Sequence, residues 1–237
     1  MTTSVDIDSI QQKLYESLKP SGWAPVLQTF LLSSDFTDLL KKLYAELEAS
    51  RRFTPLLKEV FTAFYECPVK DLHTILVLKE PYTEINSSSG IALDCSKTSK
   101  EHPWLGQVFD AIERTVYKRE DYERDLNLTR WANQGILLLS ANLTTQINAP
   151  GRHGSIWNPF TTFLLDTLNS NNCGLHFVFI GDDVKYLTPM INIKAHYKFF
   201  IQHPRTYGQN KGVWDSENIF PILSKSIQKN YNKTIVW

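Results

Sequence analysis

Apolar positions along the chain change period several times. Phe36, Leu39, Leu40, Leu43 and Leu47 recur at three- and four-residue steps, which places them on one helical face and predicts an amphipathic helix over 35–50, with Ser34 as its N-cap. A shorter helix is predicted over 56–64. The period then breaks: Thr74, Ile75, Leu76, Val77 and Leu78 form an unbroken apolar run that ends at Pro81. A run of this length suits a strand buried on both faces, as in a parallel sheet. Runs at 136–140, 176–180 and 199–202 have the same character, and helical patterns fall between them at 104–117, 158–168 and 184–190. Strands alternating with helices predict an α/β fold of three layers around a parallel sheet. With no internal repeat, low-complexity tract or linker, 1–237 reads as one domain.

Composition narrows the class. Of the 237 residues, 42% are hydrophobic and 21% charged, which excludes a disordered or collagen-like chain. No apolar stretch approaches the roughly 18 residues needed to span a bilayer. The first ten residues carry acids and hydroxyls where a signal peptide has positive charge and an apolar run, so a cytoplasmic protein is expected. Cys67, Cys95 and Cys173 are odd in number and widely spaced, which argues against a disulfide framework or a zinc site. Lysine plus arginine and aspartate plus glutamate each total 25, so the chain as a whole does not advertise a polyanionic partner. From Lys185 onward, however, eight basic residues stand against two acidic ones, enough for a local phosphate-binding surface.

Ligands of open α/β sheets bind beyond the carboxyl ends of the strands. There the chain offers Lys79-Glu80-Pro81-Tyr82, Ser140-Ala141-Asn142, Gly181-Asp182-Asp183 and His203-Pro204-Arg205. Two of these segments carry groups suited to catalysis, a carboxylate at Glu80 and an imidazole at His203. No P-loop, HExxH or GxGxxG pattern is present.

Three blocks in this order resemble the uracil-DNA glycosylases of family 1, most closely their phage-encoded branch. They are ILVLKEPYTEINSSSGIALDCS at 75–96, LTRWANQGILLLSANLT at 128–144 followed by Trp157-Asn158-Pro159-Phe160-Thr161, and His203-Pro204 followed by Trp214-Asp215-Ser216. The resemblance implies a four-stranded parallel sheet between helices, no metal, no cofactor and a monomer acting on DNA without a membrane. It also implies extrusion of one nucleotide into a pocket and hydrolysis of the bond between base and sugar.

Carried over residue by residue, the resemblance makes Glu80 the group that orients water and offsets charge on the sugar, where the family has aspartate. His203 becomes the donor that stabilises the departing base. Lys79, Tyr82, Leu93, Ser140 and Asn142 fall at base-binding positions. Leu93 replaces a stacking phenylalanine. Ser140 replaces the asparagine that reads uracil, and its hydroxyl can both donate and accept. Asn142, two residues on, would face the same side of a strand. Tyr82 is kept and would wall off the pyrimidine 5-position. Pro81, Arg152, His153, Pro204, Arg205, Thr206, Tyr207 and Lys211 fall at DNA-contacting positions, with Tyr207 where an apolar wedge fills the gap in the duplex.

The catalytic pair is retained while the base-reading shell is altered. A glycosylase acting on a modified pyrimidine, such as a substituted cytosine of phage DNA with an antiviral outcome, fits that pattern. The alternatives are a drifted uracil-DNA glycosylase of base-excision repair and a non-catalytic DNA- or partner-binding protein on the same fold.

Overall fold

The computed structural model describes residues 6–118, 122–209, 214 and 217–237. Its helices are α1 (Ile7–Ser17), α2 (Trp23–Leu31), α3 (Ser34–Glu48), α4 (Thr62–Glu66), α5 (Pro103–Thr115), α6 (Thr129–Ala132), α7 (Gly154–Asn171) and α8 (Ile219–Tyr231). The strands are β1 (Phe53–Thr54), β2 (Thr74–Leu78), β3 (Ile136–Ser140), β4 (Thr145–Gln146), β5 (His176–Ile180) and β6 (Tyr197–Ile201).

The central sheet has the order β3-β2-β5-β6 and every pair is parallel. Three of its strands, β2, β3 and β5, are buried at all five positions, which is why they read as unbroken apolar stretches. The chain steps from β2 to β3 in one direction and from β3 back past β2 to β5 in the other. Right-handed crossovers then place α5 on one face of the sheet and α7 on the opposite face. The β5-to-β6 step continues in the second direction, so its 3₁₀ segment Asp182–Met190 shares the α7 face and packs on α7. β1 and β4 form a separate antiparallel pair.

The predicted helix at 35–50 is α3, capped one residue earlier than expected: the Ser33 side chain accepts from the Phe36 amide. The predicted helix at 56–64 is instead a 3₁₀ turn, Leu57–Glu59, followed by α4. Gly90 closes on this turn, where a Cβ at φ +91° would stand 1.9 Å from the Glu59 carbonyl oxygen, so only glycine permits the approach. The last strand starts two residues early, because Tyr197 pairs with His176 and their rings stack at 4.7 Å. The 184–190 pattern is 3₁₀ rather than α, and α7 begins at Gly154, four residues before the expected start.

The core is continuous across both faces, with Trp23, Trp131, Trp157 and Trp237 among its fully buried side chains. Each large apolar side chain so buried contributes about 1.5–3 kcal/mol. The carboxyl-terminal Trp237 donates its indole N–H to Ser224 at 2.8 Å and meets Trp131 edge-on, which fastens the end of the chain to α6 and α8. Among the described residues no helix is long and apolar enough to cross a membrane.

Candidate active site at the carboxyl edge of the sheet

The ladder between β2 and β3 pairs Leu78 with Ser140 and runs past the strand ends. Ala141 N donates to Leu78 O at 2.7 Å and Asn142 N to Lys79 O at 2.8 Å. These bonds set Lys79, Glu80 and Asn142 side by side at the edge where the sequence places its candidate chemistry.

Glu80 is held firmly. Its Oε2 accepts from Thr145 Oγ1 and from the Gly151 amide, both at 2.8 Å. The side chain is 10% exposed, and Oε1 lies 3.8 Å from Lys79 Nζ, outside hydrogen-bond range. One carboxylate oxygen is thus doubly anchored while the other has no hydrogen-bond partner among the described residues.

His203 follows β6. Gly181, at φ +95°, lets it approach: a Cβ there would come within 3.0 Å of His203 Cβ. His203 Nδ1 accepts the Arg205 amide at 3.0 Å, so in the neutral ring the proton sits on Nε2, which is then a donor. Burial pushes the His203 pKa from its usual 6.5 down to about 4, with the Arg205 charge acting in the same direction. The ring is neutral at pH 7.

Beside His203 lies an aromatic cleft on the α5 face. Trp104 meets the His203 ring edge-on at 4.7 Å, and Tyr82 lies 4.1 Å from His102 and 5.7 Å from Trp104. Tyr82 is fixed in place: its hydroxyl donates to Leu93 O at 3.0 Å, and burial raises its pKa well above 10. Leu93 is itself buried, in the left-handed region at φ +68°, a strained conformation for a γ-branched residue.

On the α7 face Lys79 and Arg205 converge on Asp183. Nζ is 3.4 Å from Oδ1 and the guanidinium 2.6 Å from Oδ2. Burial alone would raise the Asp183 pKa, but the two cations outweigh it and hold the carboxyl below its ordinary range.

The expected DNA-contacting residues divide. Arg152 is exposed, and Arg205 is about half exposed but ion-paired. Thr206 donates to His203 O at 2.8 Å, which ties the 3₁₀ segment Pro204–Gln209, including Tyr207, to the catalytic histidine candidate. Pro81, Pro204 and His153 are buried instead of surface-exposed. Pro204 opens a segment that packs on α5. His153 is 1% exposed because Nδ1 bonds Thr144 Oγ1 at 2.7 Å, and the same hydroxyl accepts the Trp157 indole N–H at 2.7 Å. In this arrangement His153 braces the start of α7. Lys211 lies outside the described residues. Sequence reasoning missed Thr145, Gly151, His102 and Trp104, and offered Asp183 only by its place just after a strand, without a role. Among the described residues no three His, Cys, Asp or Glu side chains converge as a metal site.

The chain is similar to proteins named uracil-DNA glycosylase. It is 26% identical to that of Buchnera aphidicola over 217 residues, covering 91% of this chain and 97% of the relative. It is 25% identical to that of Acinetobacter baumannii over 228 residues, covering 96% and 95%. The solved mimivirus uracil-DNA glycosylase superposes with a TM-score of 0.83 at 21% identity, covering 94% of this chain and 88% of that one. The enzyme of Nitratifractor salsuginis superposes at 0.58 with 18% identity, covering 92% and 97%. No protein-family model matches the chain. The sequence similarity runs along nine-tenths of the chain, and the mimivirus structure shows that the chain shares its fold.

Proposed function

We propose that the protein is a DNA glycosylase that flips a nucleotide from the helix and hydrolyses its N-glycosidic bond, leaving an abasic site. The observation that carries this reading is an anchored carboxylate after β2 and, after β6 at the same end of the parallel sheet, a neutral histidine whose Nδ1 accepts the Arg205 amide, which leaves Nε2 as the donor. The free Oε1 of Glu80 orients a water and opposes the positive charge that grows on the sugar. The bond from C1′ to the base nitrogen breaks, and its electron pair leaves with the base. The base oxygen beside that bond accepts a hydrogen bond from His203 Nε2–H, and the water oxygen bonds to C1′. The water proton passes to Glu80 and then to solvent.

The reading extends to a base other than uracil. Ser140 lacks the amide that would match uracil's donor and acceptor, and a site built on such matching loses discrimination when the partner changes. A modified pyrimidine, such as the substituted cytosines of phage DNA, is the substrate class this shell favours. Its excision would serve defence against a virus.

Purified protein incubated with unmodified, uracil-containing and modified phage DNA tests this. Released bases are identified by mass spectrometry and abasic sites by alkaline cleavage. Release that disappears in Glu80→Gln is the expected result. Uracil release alone would return the protein to repair. No release from any DNA, with DNA binding intact, would leave a binding protein.

A further inference from the structure

A base taken out of the helix loses its stacked neighbours and is held by stacking on aromatic or apolar side chains. The position at which a stacking phenylalanine is expected holds Leu93, which has no π-face and is 6% exposed. An aromatic ring from another segment reaches the same end of the sheet. Trp104 is the second residue of α5, and His102 caps that helix by accepting the Trp104 amide on Nδ1 at 3.2 Å. The cap fixes where the indole leaves the backbone. The indole then meets two groups of the candidate site, with its ring centre 4.7 Å from that of His203 and 5.7 Å from that of Tyr82.

The manner of these contacts leaves the indole usable. The His203 ring is inclined to it by 88°, the His102 ring by 69° and the Tyr82 ring by 38°, so none of the three is stacked flat on it. Trp104 is half-buried, whereas the other five of the six tryptophans are at most 3% exposed. A tryptophan that served only the core would be covered as they are. Because α5 packs on Pro204–Gln209, the segment that follows His203, the indole and the imidazole are held as one unit.

We infer that Trp104 is the stacking wall for the extruded base, supplied from the start of α5 in place of position 93. The inference deepens the glycosylase reading and rests on it for the flipped nucleotide. Stacking on an indole favours every base, because each has a π-face. Trp104 therefore adds affinity without choosing among bases, and the choice is left to hydrogen-bonding groups such as Ser140.

Tryptophan fluorescence tests this, because the five buried rings leave Trp104 as the emitter that acrylamide reaches. Four duplexes are added to saturation, judged by the anisotropy of a labelled strand. Three carry one uracil, cytosine or 5-hydroxymethylcytosine on a 2′-fluorinated sugar, which resists a cation at C1′ and so slows hydrolysis. The fourth carries a tetrahydrofuran with no base. At least one base-bearing duplex should leave the acrylamide-sensitive emission about 2-fold or more below that with the tetrahydrofuran duplex, and the difference should vanish in Trp104→Phe. On a DNA from which base is released, Trp104→Leu should lower kcat/KM about 5- to 100-fold, and Trp104→Phe, which keeps a π-face, less than about 3-fold. Equal emission with all four duplexes, a base-dependent loss that persists in Trp104→Phe, or Trp104→Leu within about 2-fold of wild type overturns the inference. Base release with equal emission removes the wall and leaves the glycosylase. Base-dependent quenching of Trp104, with no release from any DNA, removes the glycosylase and leaves the wall.

Discussion

Tyr82 and Asn142 stand at the ends of neighbouring strands, on opposite flanks of Glu80, and their polar groups are treated differently. The Tyr82 hydroxyl is bonded to Leu93, and its ring is pinned between His102 and the core. The Asn142 carboxamide, just as buried, is bonded to nothing among the described residues. The α5 flank is therefore packed and satisfied before substrate arrives, as suits groups that must stabilise a transition state without rearranging. The α7 flank holds unspent donors and acceptors over bare glycines, as suits a surface that recognises.

The comparison breaks first if Glu80 is dispensable. Glu80→Gln keeps the shape and can still accept from Thr145 and Gly151, but it removes the charge that opposes the developing cation. Base release should fall by roughly 10²–10⁴-fold with DNA affinity little changed. A variant within 10-fold of wild type would move the catalytic group off this edge.

His203→Ala should cost about 10²–10³-fold, the usual effect of removing one oxyanion donor. The sharper check is spectroscopic. The Arg205 amide occupies Nδ1, so protonation must break that bond. Imidazole ¹⁵N shifts should show the neutral Nε2–H form from pH 8 down to pH 5, with a midpoint of about 4. A midpoint near 6.5 would mean that the ring is not held as described.

Much of this edge was legible in the sequence. Three of the four strand runs and their trailing residues fell where periodicity put them, because strands buried on both faces leave an unambiguous apolar signature. What was not legible depends on contacts between segments far apart in the chain. Gly151 and Thr145 reach Glu80 across 71 and 65 residues. Asp183 meets Arg205 only because their strands are neighbours in the sheet. His153 looked exposed because its segment is polar, and nothing local announces that Thr144 and Trp157 enclose it. The amino-terminal helices escaped for opposite reasons: α1 has few apolar residues, and α2 is apolar nearly throughout and carries a proline, so neither shows a clear helical period, and both are fixed by packing on α3 or α7.

The packed flank also belongs to a fold that should weaken in acid. Burial lowers the His73 pKa from 6.5 to about 4, and it depresses those of His153 and His176 in the same direction. A depressed folded-state pKa means that the unfolded chain binds the proton first. The stability is fully present above about pH 6.5 and is lost as pH falls towards 4. His73 alone accounts for roughly 3 kcal/mol at pH 4. Urea unfolding at pH 7 and at pH 4.5 measures this, and His73→Gln should flatten part of the slope. An unchanged midpoint would show that these rings titrate without cost.

The smallest effect asks what Asp183 does between the two flanks. Its carboxylate holds Lys79 on one side and Arg205 on the other, so two cations at this end of the sheet are already paired. A backbone phosphate arriving there must compete with it. In Asp183→Asn the amide can still accept a hydrogen bond from either cation but no longer cancels its charge. Affinity for unmodified duplex should rise about 3- to 10-fold at low salt, and the dependence of log affinity on log salt should steepen by about 1 to 2, one phosphate for each cation released. If Asp183 serves chiefly to hold Lys79 and Arg205 in position, the same variant binds more weakly and its salt slope stays as it was. The sign of the change separates a carboxylate that restrains DNA binding from one that organises it.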